Sequence, residues 1–211
     1  MRVRMYTPKD RERVREICCD TGLLGDPIDP FMPDRKLWAD ASSKYYTDKE
    51  PESLFILEDR NKIIGYLFGC LDSRKEMAYR IWLGPRILLA VLSNLLRARH
   101  IKEIRRLLKW TLTKYKIEMP GFPISYAHLH IALIRNKRAR GWGTKLMKTY
   151  FDYLRKNNVE GVFAQVFKHG NNLSYRFFKS LGMEDFEERD NTLWKDFKHG
   201  DVKLVTVVKK F

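Results

Sequence analysis

Hydrophobic positions along this chain switch between a period of two and a period of about 3.6, which predicts strands and helices in alternation. Residues 2–6, Arg-Val-Arg-Met-Tyr, alternate as a first strand. Thr7-Pro8 then opens a helix with a capping hydroxyl and a first-turn proline; Val14, Ile17 and Cys18 form its buried face and Gly22 ends it. Gly25, Pro27, Pro30 and Pro33 make residues 23–36 a loop, and residues 35–46 read as a short helix. Residues 53–58 and 62–70 are apolar runs joined by Asp59-Arg60-Asn61, the pattern of a β-hairpin. Residues 79–120 break the rhythm. Gly84-Pro85 predicts the start of a helix rich in Ile87, Leu88, Leu89, Val91, Leu92 and Leu95, and Ile101, Ile104, Leu108, Leu112 and Tyr115 mark a second. The other face of that second helix carries Lys102, Arg105, Arg106, Lys109 and Lys116. Three readings stand for this insertion: a helical hairpin covering the domain and its site, a homodimer contact, or a basic surface for nucleic acid or anionic membrane.

Gly121-Phe122-Pro123 closes the insertion, and residues 126–183 organise the remainder. The run Leu129-His130-Ile131-Ala132-Leu133-Ile134 is a strand. It leads into Arg135-Asn136-Lys137-Arg138-Ala139-Arg140-Gly141-Trp142-Gly143-Thr144 and then into a helix with Leu146, Met147, Tyr150, Phe151 and Leu154 on one face. A strand over residues 161–167 and a helix from Asn171 to Gly182 follow. Residues 184–189 and 201–210 alternate as a final antiparallel pair, connected through Trp194 and its neighbouring lysines.

The loop between strand and helix carries the chemistry. Gly141 and Gly143 permit a sharp bend and close approach by a ligand. The first amides of the helix lack internal acceptors and sit at the positive end of its dipole, which favours phosphate. Lys137, Arg138, Arg140 and Lys145 add positive charge. A basic surface turn stands as the alternative. The dinucleotide fingerprint is excluded because Leu146 occupies its third glycine position, and the P-loop because its spacing is absent.

Arg138-Ala139-Arg140-Gly141-Trp142-Gly143 resembles the [QR]-x-x-G-x-[GA] signature of the GNAT acyl-CoA N-acetyltransferases. Asn171, Ser174, Phe177, Phe178, Leu181, Gly182 and Met183 resemble the same superfamily's second-helix pattern at matching spacing. The segments 46–51, 65–72 and 129–131 are similar to a bacterial subgroup that itself resembles the acetyltransferase-like domain of O-GlcNAc hydrolases. The resemblance implies one α/β (α+β) domain over residues 1–211, with a mixed, mostly antiparallel sheet flanked by helices and a helical insertion at about 79–120. It implies acetyl-CoA as co-substrate and transfer of its acetyl group to a primary amine, on a small molecule or a protein. The backbone of Ile131, Ala132 and Leu133 would pair with the pantetheine arm. Arg138, Ala139, Arg140, Gly141, Trp142, Gly143 and Thr144 would hold the pyrophosphate, and Asn171 would bond the cofactor. The chain departs from the family where an acid is expected: Phe178 stands where tyrosine is usual, and Ala132 where the subgroup often has aspartate.

Candidate catalytic groups are then His130 as base, Tyr175 as a displaced acid, and Asp72. Tyr46, Asp72 and His128 are candidate acceptor contacts. Asp72 is equally read as a turn cap, and either histidine as a buried structural one. His128 and His130 lack a third ligand at metal spacing, so no metal is expected.

Composition narrows the setting. The 44% hydrophobic content suits a packed core. Cys18 and Cys19 are adjacent and make no disulfide framework, which points to a reducing, cytoplasmic location. They are expected to pack in the core. No leader or spanning segment is read from the N-terminus or the apolar runs. The net charge of +15 is compatible with an acidic partner or with a generally lysine-rich proteome.

Overall fold

The structure is a computed structural model and describes residues 1–96, 100–170, 172–195 and 201–211. Seven strands form one sheet: β1 (Arg2–Met5), β2 (Phe55–Asp59), β3 (Lys62–Cys70), β4 (Ala127–Leu133), β5 (Gly161–Lys168), β6 (Glu184–Asp190) and β7 (Lys203–Lys210). Their spatial order is β1-β2-β3-β4-β5-β7-β6. Every pairing is antiparallel except β4 with β5. The β2–β3 hairpin turns through Arg60 and Asn61, both at positive φ (48° and 63°), a conformation that asparagine tolerates well.

Among the described residues the helices are α1 (Arg11–Asp20), α2 (Arg35–Asp48), α3 (Ser73–Leu96), α4 (Ile101–Thr113), α5 (Tyr115–Glu118), α6 (Trp142–Lys156) and α7 (Leu173–Ser180). On one face, Leu146, Met147, Tyr150, Phe151 and Leu154 of α6 pack with Phe55, Leu67, Leu129, Val162 and Val205, as the helical spacing predicts. On the other face, Val14, Ile17 and Cys18 of α1 and Tyr45 and Tyr46 of α2 meet Ile56, Tyr66, Phe68 and Ala132. A third cluster under the insertion gathers Ile28, Phe31 and Met32 of the proline-rich loop with Trp110 and Trp194. Cys18 and Cys19 are buried, and burial pushes the Cys18 thiol up to about 11, so they serve as core residues.

The insertion differs from its expected shape in two ways. First, α3 starts at Ser73, not at Gly84-Pro85, and carries Pro85 inside it. Asp72 caps its start: the backbone N–H of Arg74 donates to the Asp72 carboxylate at 2.9 Å. The first turns are polar, Ser73-Arg74-Lys75-Glu76, and so hide the helix from a hydrophobic pattern. Second, α4 buries Ile104 and Trp110, whereas Leu108 and Leu112 of the expected apolar stripe face solvent, Leu112 at 83% exposure. The side of α4 that packs is chosen by the Phe31–Trp194 cluster, to which Trp110 belongs.

Candidate active site

The parallel pair at the centre of the sheet is short. β4 and β5 align only at Ala127↔Val162 and His128↔Phe163. β4 continues to Leu133 and stays bonded to β3 through Gly65↔Leu133. From Leu129 onward its other side therefore has no strand partner, and a wedge opens between β4 and β5 with its apex at His128. Tyr150 of α6 braces that apex from below. Its hydroxyl lies 3.2 Å from the His128 carbonyl and 3.3 Å from the Cys70 carbonyl, and it donates to them. Gly69 lets the ring come this close, because a Cβ there would sit 2.4 Å from it.

At the wide end of the wedge lies the glycine loop. A 3₁₀ turn over Arg135–Lys137 leads from β4 into it. Ala139 and Gly141 both adopt left-handed backbone (φ 56° and 76°), so the chain curls back before α6 begins. Gly141 precedes the first helical residue, and its carbonyl accepts the Lys145 N–H at 3.1 Å. The amides of Trp142, Gly143 and Thr144 thus belong to the first turn and have no helical acceptor. Open space lies where a Gly141 side chain would project, whereas a Cβ at Gly143 would meet the Phe177 ring at 3.2 Å. Arg138 ties this curl to its surroundings: Nε donates to the Leu133 carbonyl (2.8 Å) and Nη2 to the Gly25 carbonyl (2.7 Å). Burial lowers the Arg138 pKa. Arg140 and Gly141 are exposed, and Thr144 is half-buried. Unpaired backbone along Ile131, Ala132 and Leu133, followed by a cationic curl of free amides, fits an extended thioester carrier ending in a pyrophosphate.

On the α1–α2 side of the wedge, His128 and His130 project toward a cleft. Tyr46 forms one wall, stacked on Phe68 (centroids 4.9 Å apart), and Phe68 in turn stacks on Tyr66 (4.1 Å). The Tyr46 hydroxyl and His128 Nδ1 share a hydrogen bond of 2.9 Å. Tyr46 is fully buried, and burial together with the charge of Glu76 pushes its hydroxyl pKa well up. The same hydroxyl donates to Glu76 Oε1 at 3.4 Å, and Arg80 Nε donates to that oxygen as well. His130 lies on the same face of β4, accessible to solvent but partly enclosed by Tyr66 and Phe68. That enclosure and the nearby Arg80 charge hold it at about 4, and His128 at about 3, so both rings are neutral at physiological pH.

The structure brings His128, His130 and Tyr46 together and sets other candidates apart. Asp72 pairs with Arg74 (2.8 Å) in addition to capping α3, and Arg74 lowers its pKa. Its carboxylate is engaged as a cap, the structural one of its two expected roles. Tyr175 donates to Asp185 at 2.6 Å, and this bond pushes its own pKa up to about 12. Asp185 lies on β6, three strands from β4, or roughly 14 Å at ordinary strand spacing. The hydroxyl of Tyr175 is thereby engaged by Asp185. Phe178 is buried in the core. Asn171 lies outside the described residues; the adjacent Asn172 precedes α7, and its side chain donates to the Phe167 carbonyl at 2.7 Å. Two cleft residues are absent from the sequence expectations, Glu76 and Arg80. They are an i, i+4 acid–base pair on α3, recognisable once that helix is known to begin at Ser73.

Solved structures share this architecture over the whole chain. A protein designated SsHAT superposes with a TM-score of 0.63 at 24% identity, covering 99% of this chain and 97% of its own. An acetyltransferase from Salmonella typhimurium, yncA, solved with its cofactor acetyl-CoA, gives 0.59 at 14% identity, with 100% and 93% covered. The polyamine N-acetyltransferase of Drosophila melanogaster gives 0.59 at 14%, with 100% and 99% covered. No curated protein matches the sequence. A family model, described as Acetyltransferase (GNAT) family, matches residues 26–183, a span that runs from the proline-rich loop across the wedge to the end of α7. The wedge, the curl and the helices around them therefore identify the chain as a member of the GNAT family of acetyltransferases.

Proposed function

We propose that this N-acetyltransferase moves the acetyl group of acetyl-CoA onto a primary amine held in the Tyr46–His130 cleft. The observation that carries the reading is the wedge: β4 exposes backbone from Leu129 to Leu133 on one side of its floor, and the histidine cleft opens on the other. Ile131, Ala132 and Leu133 would hold the pantetheine, and Ala139 to Thr144, with Arg140, the pyrophosphate. Bound there, acetyl-CoA supplies a thioester carbon; the amine nitrogen bonds to that carbon, the C–S bond breaks, and coenzyme A leaves as the thiolate. The chain's own part is to position the amine, exclude water and accept the ammonium proton. Neutral His130 is the accessible acceptor for that proton, directly or through water. Tyr46 and His128 form the cleft wall. A thiolate is a weak enough base to leave without a strong acid, which accommodates Phe178.

The placement of Tyr175 and Phe178 favours a second reading, a GNAT-like module that binds coenzyme A with little turnover. Segments 46–51 and 65–72 support placing the chain in the bacterial subgroup similar to the acetyltransferase-like domain of O-GlcNAc hydrolases. A cytoplasmic location fits the free cysteines, and no described helix is long and apolar enough to cross a membrane.

Calorimetry with acetyl-CoA tests the site. Wild type should bind in the micromolar range, and Gly141→Glu should lose binding at least about 100-fold, because its side chain enters the open space of the curl with the wrong charge. Equal binding by a folded Gly141→Glu protein would remove the curl from the cofactor site. Free thiol release with an amine panel then separates the enzyme from the inert module.

A further inference from the structure

The insertion lies outside the segments whose motifs carry the sequence resemblance, yet its first helix, α3, brings a charged side chain beside the candidate acceptor residues. Arg80 lies two turns into α3. Its side chain is 54% accessible and pairs with the Glu76 carboxylate. Its partner Glu76 is buried, so the accessible guanidinium stands at the rim of a cleft, beside a buried carboxylate. Two further observations fix which cleft. Arg80 bonds Glu76 and lies against the Tyr46 hydroxyl. Its charge also acts on both His128 and His130. Among the described residues, Glu76 is the one carboxylate paired with Arg80, and it takes the Nε edge. Among the described residues no second carboxylate is paired with its terminal nitrogens. Near it stand Tyr46 and the neutral rings of His128 and His130, and Phe68 and Tyr66 stack behind Tyr46.

Building on the acetyltransferase reading above, we propose that Arg80 anchors a carboxylate of the acceptor, so that the amine acetylated belongs to a small amino acid. The guanidinium presents two parallel N–H donors, the geometry that matches a carboxylate and that an amide or hydroxyl matches poorly. The arrangement assists the reaction in a second way. A fixed positive charge beside the bound amine disfavours its protonated form, so a larger fraction is the nucleophilic free amine. The acceptor carboxylate offsets part of that charge and keeps the complex from being repelled.

The test compares matched acceptors on the full chain. Free thiol release from acetyl-CoA is followed for each L-amino acid and for its own C-terminal amide, with spermidine and glucosamine as acceptors lacking a carboxylate. At least one amino acid should exceed its amide in kcat/KM by about tenfold or more, the scale of a charge-assisted bidentate contact. In Arg80→Met that ratio should collapse toward one, mainly through KM, while Arg80→Lys keeps part of it. Acetyl-CoA affinity, measured alongside, should be unchanged in both variants and reports that they are folded. Should Arg80→Met fail to fold, the wild-type ratios alone decide. Amides equal to or better than their acids, or turnover of spermidine or glucosamine with no amino acid accepted, would overturn the proposal and leave an N-acetyltransferase of another specificity. A uniform drop in kcat for acid and amide alike in Arg80→Met would make Arg80 a brace for Tyr46 and overturn it too. Acetyl-CoA binding without turnover of any acceptor would also count against it, whereas no acetyl-CoA binding by folded wild type would bring down the underlying reading itself.

Discussion

At the residue scale the paired histidines of β4 carry a measurable signature. Both are held neutral by enclosure and by Arg80, at about 3 and about 4, whereas in the unfolded chain they titrate near 6.5. Between about pH 6.5 and 4 the unfolded chain therefore binds more protons than the native protein. Stability must rise with pH across that window and fall as acid is added. Urea midpoints at pH 7, 6 and 5 should decline in order, and His128→Gln should flatten the slope. A midpoint indifferent to pH in this range, or an identical slope in the variant, would contradict the enclosure of the rings. The individual residues also show what sequence can and cannot convey. Gly141 and Gly143 were legible as a turn because they stand where a strand hands over to a helix, and the structure gives each its reason: positive φ at one, the Phe177 ring at the other. His128 and Tyr46 could be named but not joined, since 82 positions separate them and nothing local requires the 2.9 Å contact. The direction of the Tyr175 hydroxyl was not legible, because its helix position leaves more than one open and the contact with Asp185 decides it.

At the scale of elements, the strands and α6 follow from periodicity because each has one plainly buried face. The insertion does not. The start of α3 is polar, and α4 has apolar residues on more than one side, so hydrophobicity alone cannot tell which side packs. What fixes α4 and α5 is a buried polar knot. Glu118 accepts from Trp110 Nε1 at 2.6 Å and from the backbone N–H and hydroxyl of Thr192 at 2.7 and 2.8 Å. Despite burial, these donors hold its carboxyl below the usual range. Glu118→Ala strands three donors and should destabilise the protein by about 2–4 kcal/mol. Limited proteolysis should then cut within residues 101–118 before the rest of the chain. Unchanged urea stability together with unchanged cleavage would show that packing around Trp110 suffices.

At the scale of the molecule, the two halves of the sheet are joined by two rungs of parallel pairing and by α6 beneath them. Tyr150 is the point at which helix, β3 and β4 converge, and Gly69 admits it. Gly69→Ala should therefore overpack the seam and lower stability by about 1–3 kcal/mol, a fall in Tm of roughly 2–4 °C per kcal/mol for a chain of this size. The double variant Gly69→Ala, Tyr150→Leu should recover part of the loss, because the ring that clashes is gone. If the single variant melts like wild type, the close approach at this seam is not a constraint on the fold.

The wedge also bears on how the protein stays out of trouble with other chains. An ordinary open sheet has two borders where a foreign strand can add, and long bare ones invite aggregation. This sheet has those at β1 and β6 and, in addition, an interior border along β4. A strand arriving from another molecule would have to thread between β4 and β5 with side chains projecting on both faces, and the gap narrows to nothing at His128. A slender arm without side chains fits such a slit; a polypeptide does not. The same taper that leaves this backbone bare thus acts as a sieve, keeping an exposed template for β-addition from being used by anything as broad as a protein.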